Sequence, residues 1–353
     1  MGSRGDRNML EVSMRQLLRT ALWGCVLGFS LVRPASRLAA QPGAKLVEER
    51  TVPFARPAGS MLIPGLPRWS GNGLLDVELN FTGVPQIWIT GRDGVREVIP
   101  FSIREAGRIA LTDVCAGQDG ALAISGGAYT SNSRGATFIG WISPDRQKRT
   151  ITQIWPYVAE RLALAADGMI WTVGFLKDEA NTTTVSRNLL RRFDPSGGML
   201  TSSAVRGRAT RVLPRDATPM SYLVASGDRV GWYTNGGEYI EFSLDGKEIG
   251  RLDGPAQQQG PNGEDVSGVA MSGQNRLLVG VSHRDTRSWQ VMELDRTSRT
   301  WVKAVPDAGS VVGVAGFDGE TAVLTGSDGK TQILMRRFAP AGGSPAAQSP
   351  YPH

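Results

Sequence analysis

The chain has 353 residues, 39 Lys plus Arg against 33 Asp plus Glu, a formal net charge of +6 and a hydrophobic fraction of 41%. Most of the excess charge lies in the first 40 residues, where six arginines meet two acids, so the remaining 313 carry only +2. That near-neutral balance argues against a nucleic-acid binder or a protein held to an anionic membrane by charge.

In chain order, Arg15 and Arg19 precede the apolar run Ala21 to Val32, and the small-residue segment Leu38-Ala39-Ala40 follows it. This is the layout of a secretory signal peptide cut between Ala40 and Gln41, with the true start at Met14 or Met9. The run is too short to span a bilayer, and no later segment reaches about 18 unbroken apolar residues. A mature chain without a transmembrane segment, secreted or periplasmic, is therefore expected. Its single thiol is Cys115, in the apolar run Val114-Cys115-Ala116. It reads as a small buried hydrophobe, and with no CxxC or Cys/His cluster, zinc and haem sites are excluded.

Lys45 to Pro53 (KLVEERTVP) reads as an extended segment with no partner of its own. After it, short alternating or continuous apolar runs recur between turn signals, without helical periodicity. Turns at Asn72-Gly73, Asp119-Gly120, Asp167-Gly168, Gly227-Asp228, Gly273-Gln274 and Asp318-Gly319 are spaced, on glycine, by 47, 48, 59, 46 and 46 residues. A second set, measured on Gly94, Asp145, Gly197, Gly246 and Thr297, is spaced by 51, 52, 49 and 51. Each unit holds four strands. The fifth shows them as Ser267 to Met271, Arg276 to Val281, Trp289 to Leu294 and Thr300 to Val305. Four short antiparallel strands per period of this size are the signature of a radial β-repeat, here a six-bladed β-propeller over residues 41–338.

The string Arg191-Arg192-Phe193-Asp194-Pro195-Ser196-Gly197-Gly198 returns as Arg336-Arg337-Phe338-Ala339-Pro340-Ala341-Gly342-Gly343. Both copies close the third strand of a unit, but after the second the chain becomes a Pro/Ala/Gly-rich tail, residues 339–353, that reads as disordered. The last blade then lacks its outer strand. The N-terminal segment, residues 45–53, is expected to supply it and close the ring, which removes the free edges of an open array. Trp88, Trp141 and Trp289 fall on third strands and Trp171 and Trp232 on second strands, as fillers between blades.

Leu162 to Trp171 (LALAADGMIW) resembles the apolar-run, Asp-Gly, Ile/Leu-Trp element of six-bladed propellers of the NHL-repeat, regucalcin/gluconolactonase-like and streptogramin-lyase-like families, and Val114 to Leu122 repeats it more weakly. The resemblance implies architecture, not chemistry, because those families include lactonases, lyases, dehydrogenases and binding modules. Gluconolactonase-like members imply a Glu-Gly-Pro element and an Asn-Gly then Ser-Pro-Asp-Gly element for a divalent metal, and neither string occurs here. Streptogramin-lyase-like members imply a set of histidines, whereas the propeller holds His283 and the tail His353.

Loops that vary on a constant scaffold are the expected place for a site. These are residues 126–135, 177–187, 206–219, 254–264 and 283–288, all on the face opposite the tight turns. Tyr129, Arg134, Asp178, Arg187, His283 and Asp285 are the candidate ligand-binding residues. Asp113, Glu160, Asp216, Glu264 and Asp265, at the starts of inner strands, form a candidate oxygen-ligand set for Ca²⁺ or Mg²⁺, or else cap strands and pair with Arg161 and Arg215. His283 beside Asp285 has the types of a base and its orienting carboxylate. The leading expectation is a monomeric binding scaffold for a protein, a glycan or a small molecule, with no catalytic motif. The alternatives are a metal-dependent hydrolase or lactonase, and a lyase or hydrolase centred on His283.

Overall fold

The computed structural model describes residues 46–55, 68–70, 73–78, 84–91, 93–130, 135–178, 184–205, 221–256, 263–272, 275–283, 285–286, 288–305, 312–318, 321–327 and 332–340. The chain divides into Met1–Ala40 and Gln41–His353, and every described residue belongs to the second unit. The expected leader, Arg134, Asp216, the 206–219 loop and the tail beyond 340 lie outside the described residues. Among those described, no helix is long and apolar enough to cross a membrane.

The described elements are all strands. They are β1 (Leu46–Ala55), β2 (Arg68–Ser70), β3 (Gly73–Glu78), β4 (Gln86–Gly91), β5 (Arg96–Pro100), β6 (Arg108–Ala116), β7 (Leu122–Tyr129) and β8 (Gly135–Ile142). There follow β9 (Arg149–Gln153), β10 (Tyr157–Leu164), β11 (Ile170–Lys177), β12 (Thr184–Phe193), β13 (Met199–Ala204), β14 (Tyr222–Ser226), β15 (Arg229–Tyr233) and β16 (Glu238–Ser243). The last are β17 (Glu248–Asp253), β18 (Glu264–Met271), β19 (Leu277–His283), β20 (Ser288–Asp295), β21 (Thr300–Val305), β22 (Val312–Asp318), β23 (Thr321–Ser327) and β24 (Gln332–Pro340). Consecutive strands pair into four-stranded antiparallel sheets, β2 to β5, β6 to β9, β10 to β13, β14 to β17 and β18 to β21, while β22, β23 and β24 take β1 as their fourth strand. The protein is an all-β propeller of four-stranded antiparallel blades. The tryptophans lie on the strands that the repeat assigns them, Trp171 and Trp289 fully buried.

The apolar clusters lie between sheets. Leu75, Val77, Ile87 and Phe101 of the first meet Leu111, Val114, Ile124 and Phe138 of the second. Cys115, Ala123 and Ile139 meet Tyr157, Leu162 and Leu189, and Trp171 and Val173 meet Leu223, Trp232 and Ile240. Tyr233 and Tyr239 meet Val269, Leu277 and Val279. β1 contributes to two seams, with Leu46 among Trp289, Val291 and Val305, and Val52 among Trp69, Leu74 and Val323. Its ladder with β24 runs from Leu46 opposite Pro340 to Ala55 opposite Gln332, with a bulge between Glu48 and Arg50. β24 thus continues past Phe338, where the repeat alone ends it and where its pairing with β23 stops. Ala339 and Pro340 have β1 as their partner, and a proline at a strand end leaves no ladder donor missing.

The turns show why aspartate marks the repeat. Asp93, Asp119, Asp167, Asp194 and Asp295 each accept, through Oδ1, the backbone N–H two residues on, at 2.8–3.0 Å, which is the Asx turn. Gly120 and Gly168 follow with φ of 86° and 77°, free of any Cβ penalty. In two of the outer turns the left-handed residue is an arginine, Arg146 (φ 62°) and Arg299 (φ 57°). Both reach the preceding blade. Arg146 Nε donates to Glu97 Oε1 at 2.9 Å and Arg299 Nη2 to the Arg251 carbonyl at 2.7 Å. Between β16 and β20, buried Glu241 accepts from Arg229 (3.1 Å), from Arg296 Nη1 (2.8 Å) and from the Tyr239 hydroxyl (3.0 Å).

Leu46→Ala is expected to lower the unfolding free energy by about 2–5 kcal/mol, whereas Val47→Ala, its exposed neighbour, changes it by about 0.5 kcal/mol or less. Denaturant unfolding of both variants checks the pair. Burial resists the charge on Glu241, but donation from Arg296, that cation's field, Tyr239 and Arg229 outweigh it and hold the carboxyl below its ordinary 4.5. A carboxyl depressed on folding stabilises above its unfolded pKa, and that share is lost as pH falls through the folded one. Glu241→Gln should therefore cost about 3 kcal/mol at neutral pH and flatten the acid limb of the stability profile, as read by denaturation at stepped pH.

Candidate functional site

The first strands of neighbouring sheets lie against one another, and four of them carry a bulge at the same place. Thr112 in β6, Glu160 in β10, Ser267 in β18 and Ala315 in β22 are the extra residues, each just before the point where pairing resumes at Asp113, Arg161, Gly268 and Gly316. A bulge re-aims the residues beside it. In β6 and β10 the residue after the bulge turns to the next blade.

Asp113, only 1% exposed, accepts the Leu162 N–H of β10 at 2.7 Å through Oδ2 and its neighbour Val114 N–H at 2.9 Å through Oδ1. Arg68 of β2 arrives from the other side, its Nη2 3.4 Å from Asp113 Oδ2. It also donates to the Val114 carbonyl from Nε (2.9 Å) and to the Leu162 carbonyl from Nη2 (3.2 Å). One guanidinium and one carboxylate thus tie three blades together. Cys115 lies beside them, its thiol pushed up to about 12 mainly by burial, which makes it the inert hydrophobe that its apolar run suggests.

Arg161 repeats the device one blade on. Its Nε donates to the Ser221 carbonyl at 2.7 Å and its Nη1 to the Glu160 carbonyl at 2.6 Å. Next to Ser221, Tyr222 of β14 donates to the Val266 carbonyl of β18 at 3.2 Å. Burial raises the Tyr222 phenol to about 12, with Arg161 drawing it down and Asp265 pushing it up. Arg161, Tyr222 and Asp265 therefore share one neighbourhood on three successive inner strands.

The expected metal set is not assembled among the described residues. Asp113 is bound into the seam, Glu160 is the bulge residue of β10, and Glu264 and Asp265 stand opposite His283 and Ser282 at the start of β18. Asp216 lies outside the described residues, and those described hold no group of three or more His, Cys, Asp or Glu suited to a metal ion.

The described members of the expected ligand-binding set lie on separate strands and turns. Tyr129 ends β7 with the Arg108 guanidinium 4.6 Å from its ring centroid. Asp178 is half-buried just past β11, and Arg187 is placed on β12. His283 and Asp285 do not form the expected base and carboxylate pair. His283 Nε2 lies 3.0 Å from the Gln290 amide nitrogen, while the exposed Asp285 carboxylate lies against Gly263. With that amide donating, the ring nitrogen's lone pair is occupied. Sequence reading passed over Arg68 and Tyr222 and treated Arg161 only as a counter-ion, because a bulge leaves no trace in composition or periodicity.

No protein-family model matches the chain, and no curated protein matches it by sequence. Among solved structures it is similar to the β-propeller domain of the Trilobed protease from Pyrococcus furiosus, which has an open velcro topology, at 14% identity and a TM-score of 0.46 over 79% of this chain and 84% of that one. It is also similar to a glucose dehydrogenase (14% identity, TM-score 0.42, 81% of this chain and 99% of that one) and to Myxococcus xanthus glutaminyl cyclase (12%, 0.33, 62% and 86%). These likenesses concern the fold alone.

If Asp113 is a clasp, Asp113→Asn should lower the unfolding free energy by about 2–4 kcal/mol and do so equally in Ca²⁺ and in EDTA. A loss seen only with Ca²⁺, in thermal melts of wild type and variant, would return Asp113 to a metal set.

Proposed function

We propose that the chain is an exported, monomeric six-bladed propeller, closed by β1, that acts as a binding scaffold for a protein, a glycan or a small molecule through its loop-rich face. Export follows from the leader pattern and the cut expected after Ala40. The sheets taken in chain order, with an apolar cluster at each successive seam, support a count of six blades. Contact of Val52 and Val323 with Trp69 and Leu74 supports closure, because it joins the last sheet to the first.

The observation that carries the binding reading is how the chemistry-bearing groups are used. Asp113 has both oxygens engaged with backbone N–H groups of the seam, and His283 has its Nε2 against Gln290. A carboxylate that holds blades together is unavailable as a ligand or base without opening the fold, and His283 already has a neutral amide, not a carboxylate, at its Nε2.

The test is an assay of the full-length protein against lactone and ester substrates, with and without Ca²⁺, Mg²⁺ and Mn²⁺. Wild type, Asp113→Asn and His283→Ala should be indistinguishable from buffer. Turnover by wild type that either substitution abolishes would replace the scaffold with an enzyme.

A further inference from the structure

Two arginines are buried among the described residues, and one of them comes with a carboxylate. Arg276, 8% exposed, holds Glu293 through Nε at 2.6 Å and Nη2 at 2.9 Å. Arg161, the other, does not. It is 3% exposed, its two bonds go to neutral backbone carbonyls, and among the described residues it has neither an ion pair nor a partner for Nη2. A guanidinium carries a full positive charge, and a buried charge without a direct ion pair is costly for a fold to keep. Its backbone bonds account for its position but not for its charge.

The surroundings narrow what would answer that charge. Arg161 lies midway along β10, and its seam is completed by Ser221 and Tyr222 of β14 and by the Val266 carbonyl of β18, which accepts from Tyr222. Asp265 is close enough to act on the same phenol, and Glu160 precedes Arg161 in the chain. A dianion such as phosphate or sulfate would meet those two carboxylates, whereas a monoanion meets the guanidinium with less repulsion. The β18 bulge residue beside Val266, Ser267, has a buried hydroxyl without a partner.

We propose that Arg161 anchors a carboxylate ligand, bound between β10, β14 and β18, whose oxygen accepts from Nη2. This rests on the binding-scaffold reading and gives it a ligand chemistry, carried either by a small free carboxylic acid or by the C-terminus of a peptide. Charge-assisted N–H to carboxylate bonds are the strong ones, and a buried setting strengthens them further. Because Nη2 is shielded from solvent, the seam opens before the ligand binds, and the apparent affinity is reduced by the fraction of molecules open.

The experiment is calorimetric titration and thermal melting of the full-length protein with sodium acetate, N-acetylglycine, N-acetylglycinamide and sodium phosphate, at matched ionic strength in a chloride buffer. Acetate and N-acetylglycine should release or absorb heat and raise the midpoint progressively with concentration. The amide should do neither, and phosphate should do less than acetate. A larger shift with N-acetylglycine than with acetate identifies a peptide C-terminus, and equal shifts a small free acid. Arg161→Met should abolish the response, and Arg161→Lys, which keeps the charge but not the fork, should weaken binding about tenfold. Wild type that gives neither heat nor shift with either carboxylate overturns the proposal without reference to any variant, as does a response that persists in Arg161→Met. Either result leaves a protein or glycan on the loop-rich face standing, while metal-dependent turnover would remove the scaffold reading and leave carboxylate binding at Arg161 intact.

Discussion

A short four-stranded sheet has two faces and cannot bury either by itself, so each blade depends on the one beside it. The apolar clusters obey that constraint, since each is assembled from two sheets and none from one. At about 25 cal/mol per Å² of apolar surface removed from water, such seams are the main stabilising term. β1 shows the same dependence in its strictest form. Its ladder satisfies the outer edge of β24, but its buried side chains belong to the seams on either side, Leu46 to one and Val52 to the other.

Once the seams are apolar, their polar groups have to be satisfied across them or not at all. The inner-strand bulges supply the means. By shifting one residue out of the pairing, they aim Asp113 and Arg161 sideways, where each meets backbone groups of the next blade. Where the same position is Gly268 or Gly316, no side chain is available to cross. Arg68 and Tyr222 extend these clasps by one blade each, so that polar contacts run along the inner strands from β2 to β18.

The repeat was legible because turns are local. Asx turns need an aspartate at a fixed distance from a left-handed residue, and that requirement recurs at many of the tight turns whatever the rest of the blade does. It follows that strand order, the place of the tryptophans and the partner of the N-terminal segment could be read from spacing. What spacing does not show has equally local reasons. Two outer turns use Arg146 and Arg299 where glycine would be easier, because the side chain reaches the previous blade, and that gain is invisible along the chain. The end of β24 was set too early because Ala339 and Pro340 pair only with a strand nearly three hundred residues away. The carboxylates expected to converge on a metal were sorted by a bulge that moves Asp113 into the seam, and a one-residue shift of that kind has no compositional signature.

The duplicated string now has a physical account. Arg191 stacks its guanidinium 4.2 Å from the Tyr157 ring centroid, and Arg192 lies 5.8 Å from that of Trp171 while pairing with Asp167 at 3.4 Å. Arg192 stands opposite Trp171 one step before the apolar residue that ends the third strand, and in the next two blades that position is Glu241 and Glu293. Those glutamates pair with Arg229 and Arg276 at the starts of their second strands. The position therefore calls for a long charged side chain that lays its stem over the seam and finds an opposite charge at its end, and either sign serves. Arg337 in β24 stands one step before Phe338, opposite Val323, at the corresponding place in the ladder. Arg161 is set apart from all of them, since its backbone clasp fits the scheme and its lack of an ion pair among the described residues does not.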